Sequence, residues 1–199
     1  MDALSAQFAE LRPPELVAVI FAIAYLLLAI RQNIWCWLCA GISTSLYVYL
    51  SADARLYMAS ALNVFYFAMA GYGWFAWRAG AGGAVELPVT VWPWRRHAVA
   101  LATIGGLSAL SGTLLHGFSD AAWPYVDSLT AFAAIWATFL VARKVLENWW
   151  YWLLIDAASV FIYWSRDLEL TALLYVFYLG LIPIGLLSWT RSLRRQAAT

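Results

Sequence analysis

Five side chains that could contact a flat, polar ligand recur at helical spacing in the last third of the chain. They are Trp149, Trp152, Asp156, Ser159 and Tyr163, separated by three, four, three and four positions. In an α-helix this spacing places all five on one face. Two indoles, a carboxylate, a hydroxyl and a phenol suit a ring with hydroxylated attachments, and the aromatic faces also attract cations. Trp149 taken alone would fit a membrane interface better.

Asp156 is the residue whose position most needs an explanation. It lies near the middle of an apolar stretch, residues 148–165, where an aspartate costs about 2.5–3.5 kcal/mol on membrane-insertion scales. Such a residue normally faces the interior of a helix bundle or a wet cavity, which favours a functional role. The alternative is an internal hydrogen bond that only holds helices together.

Other polar residues in apolar stretches are weaker candidates for the same site. Asn63 and Tyr66 share one face of a predicted helix, where Asn63 would either contact a ligand or link two helices. Asp127 could line the mouth of a cavity or complement the positive end of its own helix. Thr44 and Tyr47 are weaker, because either hydroxyl can bond its own helix backbone. The predicted substrate-binding residues are Asn63, Tyr66, Asp127, Trp149, Trp152, Asp156, Ser159 and Tyr163.

No catalytic or metal-binding pattern accompanies these residues in the sequence. Cys36 and Cys39 form a C-x-x-C, but they lie in an apolar helix without a βαβ context and are predicted to be packing residues. His97 and His116 have no partners at metal-ligand spacing. A membrane-embedded enzyme would need paired acids or a nucleophile with its base. We therefore predict a protein that is not an enzyme and binds no metal or cofactor.

The composition indicates which elements must position these residues. The chain has 199 residues, 64% of them hydrophobic and 12% charged, with a mean hydropathy of +0.73. A soluble domain carries about 25% charged residues, so the apolar excess is too large for one buried core. The net charge of +1 does not provide the excess of positive charge that nucleic-acid binding requires. The composition predicts a polytopic protein embedded in a lipid bilayer.

Seven apolar stretches lie between the charged residues, each near the roughly 20 residues that a spanning helix needs. They cover residues 16–30, 32–52, 56–77, 98–115, 124–142, 148–165 and 170–190. We expect no cleavable signal, because Asp2, Glu10 and Glu15 interrupt the basic start that a signal peptide requires. The connections are short, so residues 1–199 are predicted to form one domain.

Two short matches predict an internal repeat. Residues 33–38 share N-x-W-x-W-L with residues 148–153, and the pattern Y-x6-G-x3-W begins at both Tyr66 and Tyr178. Four helices separate the matching positions, so the two halves would run parallel across the membrane, which is a transporter design. The predicted order is repeat one, a linker helix and repeat two, at residues 14–78, 96–116 and 123–191.

The positive charges predict the orientation. Three Lys or Arg residues lie on one predicted side of the membrane, namely Arg12, Arg55 and Arg166. Nine lie on the other, namely Arg31, Arg78, Arg95, Arg96, Arg143, Lys144, Arg191, Arg194 and Arg195. By the positive-inside rule the C-terminus should be cytoplasmic and the N-terminus outside.

Four motifs in this order resemble the PnuC vitamin transporters. They are Y-G-W-x-x-W at residues 72–77, Y-V-D-S at 125–128, A-R-K-V-L-E-N-W at 142–149, and W-x-x-W-x-x-x-D ending at Asp156. The resemblance runs from the second predicted span to the last. It implies a 3+1+3 fold related to SWEET transporters, often a homotrimer. It also implies uptake of nicotinamide riboside, an NAD precursor, across the bacterial inner membrane by facilitated diffusion. Relatives of this family carry thiamine or riboflavin.

The resemblance also assigns residues to the pocket. Trp149, Trp152 and Asp156 would line it, and Asn63 stands where many members have Gln. Two positions depart from the family pattern: several members have Asn at the position of Asp156, and many have Asn where this chain has Ala70. A formal negative charge is therefore not essential to the family's mechanism, and the change at Ala70 could alter specificity.

The chemistry of the vitamins is consistent with this interpretation and leaves alternatives open. Stacked indoles and Asp156 could hold a pyridinium ring, and Asn63 the ribose hydroxyls. Thiamine is also cationic and is the first alternative, whereas riboflavin is neutral and larger. A retinal protein is excluded, because the only lysine, Lys144, lies in a connection. A purely structural or sensory protein would make the polar face an accident of packing.

Overall fold

The computed structural model describes residues 12–53, 57–79, 87–118, 123–165 and 168–198. Within these ranges the regular elements are seven α-helices and one isolated β-bridge. The helices are α1 (Pro13–Ile30), α2 (Trp35–Asp53), α3 (Tyr57–Ala79), α4 (Trp94–Phe118), α5 (Pro124–Ala142), α6 (Asn148–Trp164) and α7 (Glu169–Gln196). The prediction of an all-helical protein is confirmed.

Four of these helices, α1, α4, α5 and α7, are long and apolar enough to cross a membrane by length and composition alone. The other three predicted spans are also helices, but α6 has only 17 residues. Trp, Tyr, Gly and polar residues lower the average hydropathy of α2 and α3. That all seven helices span the bilayer stays a prediction.

The helix bounds differ from the predicted spans mainly around α4 and α7. Helix α4 begins before and ends after the predicted residues 98–115, and α7 continues past residue 190 to Gln196. Of the connection between the third and fourth predicted spans, residues 80–86 lie outside the described part of the chain. Arg55 and Arg166, which entered the charge count, also lie outside it, as do residues 1–11 and the acidic residues there that argued against a signal peptide.

The helices pack in two consecutive groups of three. In the first half, α1 packs on α2 and α2 on α3; in the second half, α5 packs on α6 and α6 on α7. The two halves touch where α3 meets α5 and where α1 meets α7. Helix α4 packs on α5, at the side of the second half. We use "first half" for α1–α3 and "second half" for α5–α7.

The turns that follow α1 and α5 have the same backbone hydrogen bonds. Asn33 N–H donates to Leu28 O, and Val145 N–H donates to Leu140 O, each at 2.9 Å. These bonds reach back five residues and are the outer bonds of a Schellman helix end. The two halves therefore share the local geometry that reverses the chain between their first two helices, and this geometry makes Asn33 and Val145 equivalent positions.

The central residue of each turn has a left-handed backbone. Gln32 has φ 56° and Lys144 has φ 48°. This conformation normally favours glycine, so a longer side chain here needs a compensating contact. The Lys144 side chain is 2% exposed, and its ammonium lies 4.5 Å from the centre of the Trp77 ring. A cation–π contact thus accompanies the left-handed turn of the second half.

A tryptophan packs on a glycine at matching places in the two halves. The space that a Cβ on Gly73 would need is filled by the ring of Trp37, and the ring of Trp149 fills the same space at Gly185. Gly73 and Gly185 lie as many residues apart in the chain as Asn33 and Val145 of the two turns do. The N-x-W-x-W-L match would instead pair Trp37 with Trp152, so its register is wrong by three residues. The match based on Y-x6-G-x3-W has the register that the structure shows.

The two halves are joined by reciprocal tryptophan hydrogen bonds. Trp77 Nε1–H donates to Val141 O at 3.3 Å, and Trp189 Nε1–H donates to Ala29 O at 3.0 Å. The Trp77 and Trp189 rings lie edge to face, with centroids 6.3 Å apart. Each half thus caps a carbonyl at the end of the first helix of the other half. This fixes the spacing of α1, α3, α5 and α7 around the centre.

The segment before α4 fixes the start of α6. Thr90 N–H donates to Lys144 O at 2.9 Å, and Leu146 N–H donates to Thr90 O at 2.8 Å. Trp92 N–H lies 3.2 Å from a carboxylate oxygen of Glu147. These bonds hold the α5–α6 turn, and with it the first residues of α6.

Candidate functional site

A cavity of about 550 Å³ lies between the two halves. Its size suits a small organic molecule. Helices α1, α3, α5, α6 and α7 supply its described lining residues, whereas none of those residues comes from α2 or α4. The polar and aromatic residues on its wall are Tyr25, Tyr66, Asp127, Thr130, Asn148, Trp149, Trp152, Asp156, Ser159, Tyr163, Tyr175 and Tyr178.

All five residues of the predicted α6 face line this cavity. Trp149, Asp156 and Ser159 are 2%, 4% and 6% exposed. The opposite side of α6 carries Leu154 and Phe161, which are 71% and 64% exposed. The helix therefore turns Asp156 and Ser159 inward and large apolar side chains outward, as expected for a helix that faces lipid on one side.

Asp156 lies buried on the cavity wall with no partner of opposite charge in the described ranges. Neither Lys, Arg nor His is found among the described lining residues, and α6 itself contains no basic residue. The ion pair found within the described ranges joins Arg12 and Asp53, which are half exposed, away from the cavity. A buried carboxylate is costly unless another group compensates it. The wall therefore offers an acceptor for a cationic or hydrogen-bonding ligand.

Tyr66 and Asp127 also line the cavity, but Asn63 does not belong to the described lining. Leu62 and Tyr66, four positions apart, are the α3 residues on the wall. Asn63 follows Leu62 by one position and is therefore turned by about 100° around the helix. Of the proposed pair, Tyr66 lines the cavity and Asn63 is not among the described lining residues, so a contact of Asn63 with a ligand stays a prediction.

Five polar or aromatic residues of the cavity wall were absent from the predicted set. They are Tyr25, Thr130, Asn148, Tyr175 and Tyr178. The sequence offered a clue to two of these residues, because Asn148 and Tyr178 belong to the repeated motifs. A tyrosine in an apolar helix is otherwise indistinguishable from a packing residue. Tyr175 stacks on Tyr163, with ring centroids 5.4 Å apart and planes 9° from parallel.

A row of four indoles lies near the α5–α6 turn, and its first member, Trp149, lines the cavity at this end. Trp149 meets Trp189 at 5.5 Å, Trp189 meets Trp77 at 6.3 Å, and Trp77 meets Trp37 at 5.5 Å between ring centroids. Each contact has a tilted or edge-to-face geometry, the arrangement that aromatic pairs prefer. We call this end of the cavity its floor.

The side chains of the cavity wall are suited to binding a ligand. Indole faces, one mid-wall carboxylate and several hydroxyls can hold a flat ring with polar attachments. The described part of the chain contains no group of three His, Cys, Asp or Glu residues that could hold a metal ion. The lining suits a small polar molecule bound inside the helix bundle.

Known proteins with similar sequences are vitamin transporters. The family model described as "Nicotinamide mononucleotide transporter" matches residues 13–191. The riboflavin/roseoflavin transporter RibM of Streptomyces davaonensis is 26% identical over 188 residues, which cover 92% of this chain and 87% of RibM. The nicotinamide riboside transporter PnuC of Escherichia coli is 25% identical over 182 residues, covering 79% of this chain and 76% of that protein.

A solved structure shows the fold independently. The crystal structure of the vitamin B3 transporter PnuC matches with a TM-score of 0.70, over 90% of this chain and 81% of that one, at 23% identity. The family match spans nearly the whole chain, and it agrees with a helical, membrane-embedded protein whose central cavity suits binding. The chain therefore belongs to the nicotinamide mononucleotide transporter family, which is the PnuC family that its motifs resemble.

Proposed function

We propose that the protein takes up nicotinamide riboside, an NAD precursor, across the bacterial inner membrane. The observation that carries this proposal is the Asp156 carboxylate, which is 4% exposed on the cavity wall and has no described cation beside it. A pyridinium ring compensates such a carboxylate, and the Trp152 indole on the same face offers a surface for stacking. Hydroxyl groups on the wall, among them Ser159, are placed to bond a ribose.

Riboflavin transport is the second candidate, and thiamine the third. The match to RibM covers more of this chain than the match to Escherichia coli PnuC, at similar identity. Riboflavin is neutral, so Asp156 would serve it only as a hydrogen-bond acceptor. Thiamine is cationic and would use the carboxylate in the same way as nicotinamide riboside. The charge of the ligand thus separates riboflavin from the other two.

We further propose facilitated diffusion with the N-terminus outside and the C-terminus in the cytoplasm. Described basic residues support this orientation, since Arg31 and Arg143 cap the ends of α1 and α5, and the last turns of α3 and α7 carry Arg78, Arg194 and Arg195, all on the side of the α5–α6 turn. Transport by diffusion predicts substrate counterflow in liposomes that have no ion gradient.

The proposed architecture is a SWEET-like 3+1+3 arrangement of seven spanning helices, assembled as a homotrimer. The two groups of three helices, the lateral position of α4 and the constant offset between equivalent turns and glycine–tryptophan pairs support the first part. The homotrimer follows from the family resemblance and is tested by the mass of the purified particle after the bound detergent is subtracted.

Calorimetric titration of the purified protein tests the proposed substrate. Nicotinamide riboside, thiamine and riboflavin are each titrated into the wild type and into Trp152→Ala. Trp150→Ala is the matched control, because Trp150 lies two positions away, is 54% exposed and does not line the cavity. We expect binding of nicotinamide riboside that is lost in Trp152→Ala and kept in Trp150→Ala.

The other outcomes are equally informative. Binding of riboflavin alone would overturn the proposed substrate and favour the second candidate. Binding of thiamine alone would keep the role of Asp156 and change the vitamin. Binding that survives in Trp152→Ala but is lost in Trp150→Ala would overturn the assignment of the cavity.

A further inference from the structure

The Asp156 carboxylate lacks the groups that normally compensate a buried negative charge. It is 4% exposed, and no hydrogen bond or ion pair to it is found among the described residues. Its oxygens still open into the cavity, unlike Asn148 Oδ1 and Trp149 Nε1 at the floor, which are sealed off. A carboxylate in such surroundings normally becomes neutral, because the buried charge without a partner is too costly.

The groups around Asp156 supply no positive charge. The described lining contains no Lys, Arg or His, so its titratable side chains are acids and phenols. Besides Asp156 they are Tyr25 on α1, Tyr66 on α3, Asp127 on α5, Tyr163 on α6, and Tyr175 and Tyr178 on α7. The last two lie close enough to interact with the Asp156 charge. A phenol in water titrates at about pH 10, so these tyrosines stay neutral near neutral pH.

Two other groups near α6 could exchange a proton in the same range, but both differ from Asp156. Asp127 lies in the first turn of α5, where the positive end of the helix favours a negative charge. His97 of α4 lies 3.1 Å from the Tyr151 hydroxyl, on a face of α6 that does not line the cavity. Asp156 is therefore the group whose charge depends most on what occupies the cavity.

We infer that a proton is the second ligand of this cavity: it occupies Asp156 when the cavity is empty and leaves when a cationic vitamin binds. In the binding step the carboxyl O–H bond breaks, the carboxylate pairs with the cation, and one proton passes to water. Charge is balanced, and nothing is oxidised or reduced. The inference rests on the proposed function, because only a cation takes the place of the proton.

The composition of the wall favours a proton over a metal ion as the occupant of the empty site. A metal ion such as Ca²⁺ needs a shell of several oxygen ligands, whereas a proton needs one oxygen. Asp156 is the one acidic residue of α6, and the described residues form no group of three His, Cys, Asp or Glu. The site has the single acceptor that a proton requires.

The exchange keeps the centre of the bundle neutral in both states. The empty cavity holds an uncharged carboxylic acid, and the occupied cavity holds a carboxylate paired with a cation. A pair costs less in a low-dielectric interior than a lone charge does. Because proton and cation compete for one carboxylate, the affinity for the cation should rise with pH and level off once Asp156 is ionised in the empty protein.

Calorimetric titration of nicotinamide riboside tests the inference. The titration is repeated between about pH 5 and pH 8, the range around the reference values of carboxylates and histidine. At each pH two buffers with different ionisation enthalpies are used, and the difference in heat gives the number of protons released per ligand bound. Asp156→Asn removes the titrating group, and Asp127→Asn is the matched variant for the other carboxylate of the described wall. A further titration replaces sodium by N-methylglucamine at constant pH.

We expect the wild type to release about one proton per ligand at the acidic end, where its affinity rises about tenfold per pH unit. Both effects should disappear in Asp156→Asn and persist in Asp127→Asn. Binding of the cation with no proton released at any pH would overturn the inference and leave the proposed substrate in place. So would a release that persists in Asp156→Asn, or an affinity that depends on sodium and not on pH.

The vitamin that binds separates failure of the inference from failure of the proposed function. Thiamine bound in place of nicotinamide riboside, with a proton release that Asp156→Asn abolishes, would overturn the proposed substrate and support the inference. Binding of riboflavin alone would overturn both, because a neutral vitamin does not replace the proton. The wild-type titrations need no substitution, so the inference stays testable even if Asp156→Asn does not fold.

Discussion

The two halves of this protein share a scaffold and differ in chemistry. Both have the left-handed turn after their first helix and the tryptophan that packs on a glycine. Yet α6 supplies six cavity residues with polar or aromatic side chains, whereas the equivalent helix α2 supplies none of the described lining. In the register of the two turns, the equivalents of Trp152, Asp156 and Ser159 are Ala40, Thr44 and Tyr47.

Helices α2 and α6 thus share the features that build the bundle, whereas Asp156 and Ser159, which have no counterpart of the same type in α2, belong to the cavity wall; the duplicated Tyr66 and Tyr178 line the cavity from both halves. Thr44 Oγ1–H donates to Ala40 O at 2.8 Å, so its hydroxyl is used within α2. Asp156 has no backbone bond of this kind among the described residues and faces the cavity. Substitutions at equivalent positions of the two halves can therefore separate effects on folding from effects on binding.

The largest expected effect comes from Asp156, compared with its equivalent Thr44. Asp156→Ala should weaken binding of nicotinamide riboside by about 30-fold or more, because it leaves a buried cation without its counter-charge. Asp156→Asn should bind with intermediate affinity, since it keeps an acceptor and loses the charge. Thr44→Ala should bind like the wild type. Calorimetric titration and radiolabelled uptake measure these differences.

Two results would contradict this prediction in different ways. Unaltered uptake by Asp156→Ala would remove Asp156 from the site. Failure of Asp156→Ala to fold, seen as aggregation in size-exclusion chromatography, would make it a structural acid that joins helices.

The next effect distinguishes the two glycine–tryptophan pairs. Gly73→Ala and Gly185→Ala each place a methyl group where an indole lies, so both should lower stability by about 1–3 kcal/mol through overpacking. Only Gly185→Ala should also weaken ligand binding, because its partner Trp149 lines the cavity and Trp37 does not. Thermal unfolding followed by tryptophan fluorescence gives the stabilities, and calorimetry gives the affinities.

Gly71→Ala is a control for both variants, because no atom lies within 4 Å of a Cβ at that position. It should leave binding nearly unchanged and should not lower stability, because alanine favours a helix over glycine by about 0.5–1 kcal/mol. Equal losses of affinity in Gly73→Ala and Gly185→Ala would show that both halves shape the binding site, against the comparison drawn between them.

Sequence patterns were sufficient to predict the helices and the one cavity wall that α6 forms. The five residues of the α6 face could be found because a helical period and the cost of a buried charge are both local properties. The register of the N-x-W-x-W-L match was wrong because tryptophan is frequent near helix starts here, and letter identity does not show which indole packs on which glycine. Whether Asn63 faces the cavity depends on how α3 is rotated about its own axis. Packing between helices determines this rotation.

Tyr25 and Tyr175 could not be found in this way for a further reason. An aromatic side chain in an apolar helix packs equally well against lipid, a neighbouring helix or a cavity. Only the arrangement of five helices around one space separates these cases. The orientation of the Asn148 side chain likewise depends on the bond that its amide makes to Val145 O, which spacing alone does not predict.

The smallest expected effect comes from the two left-handed turns. Glycine adopts this conformation without the cost of about 1–2 kcal/mol that other residues incur. Gln32→Gly should therefore raise the thermal stability modestly, by about 1 kcal/mol. Lys144→Gly should gain little or lose stability, because it also removes the ammonium from the Trp77 ring, a contact worth about 0.5–2 kcal/mol.

In the second half, Lys144→Met separates the cost of the left-handed backbone from the contribution of the ammonium. It keeps the left-handed residue and most of the buried side-chain volume, and it removes the ammonium with all of its contacts, among them the one to Trp77. We expect it to unfold at a lower temperature than the wild type, because the cation–π contact is lost. If Lys144→Gly instead gains as much stability as Gln32→Gly, the ammonium contributes nothing, and the two turns are equivalent in energy as well as in geometry.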